Sequence, residues 1–209
     1  MIRVRVDLRT HLVSAGIVCP FEKASEPVAC LLQAREIWRG AGQRAPLAIA
    51  VNTAACANLG HDLKQAGLDP RAVQLEFEEH DVVSGGFSHL ERLRARGYAI
   101  VLRCAADFPA ALDTRARKAL TAIAMPVPAK LDSFFDLDGW RVDKAARRVQ
   151  TAQHAGLVCI ASNVVNGDEA EALVKAGFKE AEGPYAIAPR PYTAARAGRA
   201  EMPSSFSSK

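Results

Sequence analysis

The chain has 209 residues, 49% of them hydrophobic and 24% charged, which suits one folded domain with a sizeable core and excludes the apolar-poor composition of a disordered polymer. Its net charge is only +4, with the cations scattered rather than clustered, so a nucleic-acid partner is not expected. No apolar run approaches the roughly 18–20 residues that span a bilayer, and the opening MIRVRVDLRT alternates charged with apolar residues; no membrane association is expected, and a cytoplasmic location is.

Taken in chain order, the periodicity switches repeatedly between two and 3.6 residues. Strands are predicted at 2–8, 13–21, 46–52, 73–79, 99–104, 124–131 and 157–164, with a short last one at 186–187. Helices are predicted between them. Ser25-Glu26-Pro27 opens one that carries Val28, Leu31, Leu32 and Trp38 and stops at Gly40; others cover 54–65, 87–97, 109–123, 138–154 and 168–176. After Pro189 the composition turns to Arg, Ala, Pro and Ser, so 1–189 reads as the domain and 190–209 as a flexible tail. Alternating units with seven or eight strands fit a (β/α) barrel or an open doubly wound sheet, and no glycine-rich phosphate loop supports the open sheet.

The segment Val73-Gln74-Leu75-Glu76-Phe77-Glu78 alternates an apolar face with an acidic one. On a barrel strand the acidic face points inward, which makes Glu76 a candidate functional carboxylate; on an edge strand it would merely face water.

Six pieces in order resemble the EAL domain, a modified (β/α) barrel of the TIM type whose active members hydrolyse cyclic di-GMP with two divalent metal ions. They are VDLRT at 6–10, LAIAVNTAA at 47–55, GLDPRAVQLEFEE at 67–79, LERLRARGYAIVL at 90–102, KLDSF at 130–134 and AEGPYAIAP at 181–189. The resemblance implies that Asn52 and Glu76 stand at metal-ligand positions, Glu79 at a loop anchor, Lys130 at the lysine that orients water or phosphate, and Asp132 in the same motif. It also implies losses. The motif that names the family falls on Ile17-Val18-Cys19, its aspartate pair on Arg103-Cys104 (or, with a small insertion, on Asp107-Phe108), a later glutamate on Ser162 and a glutamine on Glu182. Phe21 replaces a phosphate-holding arginine, and the stretch 22–27 is too short for one barrel-covering helix.

A pair of hard cations needs several carboxylates, and Asn52 with Glu76 cannot supply them; Arg103 would instead pair with Glu76. The expected protein is therefore a degenerate EAL-like barrel with no catalytic residues and no metal or cofactor. It would act on an unknown protein partner, or as a homodimer, through an apolar rim that the missing helix exposes. Behind that reading stand a catalytically dead receptor for cyclic di-GMP, with Lys130 and Arg103 meeting phosphate, and last an active phosphodiesterase.

Five cysteines without C-x-x-C pairs are expected to be reduced and buried; Cys19, Cys104 and Cys159 with His80 could otherwise converge on a soft metal. Arg92, Arg94 and Arg96 are read as a solvated helix face, and His154 as a helix C-terminal charge.

Overall fold

The protein is seen in a computed structural model that describes residues 1–19, 26–52, 56–82, 87–104, 118–126 and 149–187. Eight strands close into a barrel in sequence order: β1 (Ile2–Asp7), β2 (Val13–Val18), β3 (Leu47–Ala50), β4 (Val73–Glu78), β5 (Ala99–Arg103), β6 (Ala122–Pro126), β7 (Val158–Ser162) and β8 (Glu180–Glu182). Strands β2 to β8 run parallel. Strand β1 runs against both of its neighbours, with Ile2 opposite Val18 on β2 and Arg5 opposite Glu182 on β8. This closed, mixed α/β barrel is one of the two architectures that the alternating pattern allows and the one that the resemblance implies. Strand β4 is paired on both sides, by β3 and β5, so its acidic face cannot belong to an edge strand.

The turn that reverses β1 follows from Asp7. Its Oδ1 accepts from the backbone N–H of Arg9 (3.0 Å) and of Thr10 (2.7 Å) and from the Thr10 hydroxyl (2.9 Å), an aspartate-capped turn of the kind that VDLRT encodes. These N–H donors hold the Asp7 carboxyl below the usual carboxylate value.

Helices α1 (Pro27–Gly40), α2 (Cys56–Gln65), α3 (Glu79–Asp81), α4 (Phe87–Ala95), α5 (149–154), α6 (Gly167–Ala176) and α7 (Pro184–Ile187) occupy the connections. Pro27 starts α1 as the sequence predicts, since its missing N–H is one that the first turn leaves unbonded anyway. The α1 face Leu31, Ala34 and Trp38 is buried. Trp38 can lie on β2 because residue 16 is glycine: a Cβ there would stand 2.8 Å from the indole. Helix α6 has an Asn166 cap that accepts from Glu169 N–H (2.9 Å), and it ends at Gly177 with φ +96°.

Two apolar clusters result. Alternate residues such as Leu47, Ile49, Val73, Leu75 and Phe77 belong to the large cluster shared with the helices, whereas Val101, Ala122, Ala124 and Ile160 form a small one. The buried Arg5 and Glu76 lie outside both.

Several boundaries differ from expectation. The eighth strand is Glu180–Glu182, and 186–187 is helical, because the charged residues that look like a loop are strand residues facing other charges. Strand β6 begins at Ala122 rather than 124, so the helix predicted to 123 ends earlier; the Thr121 N–H (2.8 Å) and hydroxyl (2.7 Å) both bond the Ile100 carbonyl and lead the chain into the sheet. The crossover from β2 to β3 carries α1, which covers both strands. The large exposed apolar side chains among the described residues are Met1 before β1, Leu12 before β2, Ile37 on α1 and Val165 before α6, so the apolar rim expected from a lost helix is not found there. Residues 20–25 and the predicted tail, 190–209, lie outside the described residues.

Candidate functional site

The carboxyl ends of the parallel strands converge on a cavity of about 220 Å³. Ile17 lines it from β2 and Cys19 from just past that strand, Glu76 from β4, Arg103 from β5 and Glu182 from β8, joined by Arg3 at the rim. Five of the residues singled out by the sequence therefore share one place.

Beneath them lies Arg5, fully buried, which sequence reasoning missed. Arg5 Nη1 donates to Gln74 Oε1 (3.0 Å), and its Nη2 donates both to Glu76 Oε1 and to Glu182 Oε2 (3.1 Å). Arg103 closes the circle from above: Nη1 donates to Glu76 Oε2 (2.9 Å) and Nη2 to Glu182 Oε1 (2.6 Å). Ser162 adds a hydroxyl bond to Glu182 Oε1 at 2.8 Å. Two guanidinium and two carboxylate groups thus form a ring of alternating charge, and all four carboxylate oxygens accept from arginine. Glu180 approaches Arg5 Nε at 3.9 Å, and Glu78 approaches Arg103 Nε at 4.0 Å.

The electrostatics follow from this closure. Burial by itself would lower the pKa of Arg5 and Arg103, but Glu76 and Glu182 raise both above the ordinary guanidinium value. Burial would raise the Glu182 carboxyl; Arg103 and Arg5 overcome it and hold the group below its usual value. Glu180 sits farther from Arg5, and there burial prevails and lifts the carboxyl.

The other candidates lie apart. Asn52 is exposed two residues beyond β3, and Glu79 is half-buried in α3. Cys104 is buried just past β5, where burial together with Glu79 and Glu78 pushes its thiol up to about 12. Burial lifts Cys159 to about 11. Cys104 and Cys159 are buried in the large apolar cluster while Cys19 lines the cavity, and no group of three or more His, Cys, Asp or Glu able to hold a metal is found among the described residues. Phe21, Asp107, Phe108, Lys130 and Asp132 lie outside the described residues.

A signal for Arg5 was present. In IRVRVD, Arg3, Arg5 and Asp7 share one face and Val4 and Val6 the other, so a charged strand face existed to match the acidic face of β4.

The barrel's fold is shared with solved structures of EAL proteins. The EAL enzyme Bd1971, in a form bound to cAMP and cyclic di-GMP, superposes with a TM-score of 0.66 at 15% identity over 90% of this chain. The chain spans 61% of that protein's length. The EAL domain of Mycobacterium smegmatis DcpA gives a TM-score of 0.66 at 19% identity, covering 87% of this chain and 88% of that one. PaMucR phosphodiesterase in complex with cyclic di-GMP gives 0.63 at 16%, covering 91% of both chains. No family model and no curated protein matches the sequence.

Proposed function

We propose that this chain is a non-catalytic EAL-type regulatory domain in bacterial signalling, working through contact with another protein. The observation that carries the reading is the closed ring of Arg5, Glu76, Arg103 and Glu182. Catalysis by paired divalent cations requires carboxylate oxygens free to coordinate, with the ions about 3.5–4 Å apart. Here every oxygen of Glu76 and Glu182 already accepts from a guanidinium, and a cation placed between them would face two fixed positive charges. Ile17 supplies no donor. Among the described residues, the site does not fit the metal pair of active EAL enzymes, and the arginines fill its electrostatic role.

A second reading is favoured by the two cations at the mouth. Arg3 and Arg103 line the cavity, and structures of this fold have been solved with cyclic di-GMP bound. Against a receptor role, the donors of Arg103 are committed to carboxylates, and about 220 Å³ falls below the roughly 300–1,000 Å³ usual for small-molecule sites.

Titration calorimetry with cyclic di-GMP, with and without magnesium or manganese, followed by chromatographic assay for hydrolysis, separates the readings. Neither heat nor product is expected. Micromolar binding without product would replace the interaction reading with the receptor one, and hydrolysis would overturn both.

A further inference from the structure

At the opposite end of the barrel, where β3 and β4 begin, a second cavity of about 510 Å³ opens between α1 and the 3₁₀ turn Pro70–Ala72. Its size falls in the range of binding sites, roughly 300–1,000 Å³. The buried Trp38 (8% exposed), Leu68 (4%) and Val73 (1%) close its floor, and Arg35, Arg39 and Arg44 contribute three cations with no carboxylate among the lining residues. Trp38 is fixed there by its indole N–H, which donates to the Ala45 carbonyl at 2.8 Å, and by the absence of a Cβ at Gly16.

The arginines have little else to do. Arg35 Nε is buried without a hydrogen-bond acceptor among the described residues, its nearest carboxylate being Glu36 at 3.4 Å. Arg39 and Arg44 are exposed and, among the described residues, have no ion pair. Arg39 in the last turn of α1 offsets the helix dipole; Arg44, beyond the helix, has no such role.

We propose that this groove docks an acidic segment of a partner protein, a short stretch whose carboxylates meet Arg39 and Arg44 while an apolar side chain enters over the edge of Trp38. Apolar floor and arginine rim match the anatomy of protein interfaces, where aromatic residues and Arg are enriched. The proposal names the partner chemistry for the interaction reading given above, and it is independent of what the mouth does, since groove and mouth lie at opposite ends of the barrel.

The test pans a displayed random-peptide library on the full chain near physiological salt and measures the enriched peptides by fluorescence anisotropy. Peptides with two or more Asp or Glu around an apolar residue are expected, binding at least about tenfold more weakly to R39E/R44E and unchanged to R92E/R94E on α4. Circular dichroism checks that the reversed variant is folded, and R39Q/R44Q replaces it if it is not. No enrichment, enrichment without acidic bias, or equal binding to the groove variant would overturn the proposal. Displacement of the peptides by millimolar inorganic phosphate would also overturn it, in favour of a small-anion site. Hydrolysis of cyclic di-GMP by the same preparation would remove the non-catalytic reading and leave the groove result standing.

Discussion

Arg5 has no contact with water, so its charge is tolerable only because Glu76 and Glu182 stand against it. Arg5→Met would leave those carboxylates facing one another with only Arg103 between them, and is expected to cost about 3–5 kcal/mol in urea denaturation at pH 7. The two β8 carboxylates should respond to acid in opposite senses. Glu182, with its pKa held down, contributes stability at pH above its ordinary value near 4.5 and loses it as pH falls through the lower folded value. Glu180, with its pKa raised, opposes folding when ionised, and this opposition is relieved as pH falls through its raised value toward 4.5. Melting curves between pH 3 and 7 should therefore show Glu182→Gln flattening the acid loss and Glu180→Gln raising stability at neutral pH.

Elements hold their places through a few local devices. The Asn166 side chain satisfies an N–H in the first turn of α6, and Glu169 reaches back to the Val165 N–H at 2.7 Å; Asn166→Ala is expected to lower stability by about 1 kcal/mol. Gly16 sets how closely α1 approaches the sheet. Gly16→Ala would push against the Trp38 indole, with an expected cost of about 1–3 kcal/mol and a changed tryptophan emission spectrum. The same substitution should disturb the groove below, so peptide affinity and emission should change together.

At the scale of the whole barrel, the succession of strands and helices was legible because each crossover carries its own helical period and each strand its own alternation, whereas closure rather than an open sheet was implied only by the EAL-like pattern. Glu76, Arg103 and Glu182 were legible as a group only through their places in the EAL-like pattern. Arg5 showed only as part of a charged strand face; its partners could not be read, because they are 71 and 177 residues away and only closure brings β1 beside β8 and across from β4. Strand β8 was hidden for the same reason: only closure sets Glu180 and Glu182 against Arg5 on β1. Arg5, 0% exposed between Glu76 and Glu182, is screened little by salt, so the cost of Arg5→Met should be the same at about 0.05 M and 0.5 M sodium chloride. A cost that shrinks with salt would mean that water reaches Arg5.

The reversed direction of β1 has a practical corollary. Residue 1 emerges at the mouth, where the Met1 ammonium donates to the Cys19 carbonyl at 3.3 Å, instead of at the far end where parallel strands begin. Whatever is joined there, an affinity tag or a reporter, is tethered within a few residues of the cavity at an effective concentration that for short flexible linkers reaches the millimolar range. A histidine tag at that position would hold its own metal over the mouth and imitate a metal-dependent ligand response, so binding experiments on this barrel belong on protein tagged elsewhere or cleaved.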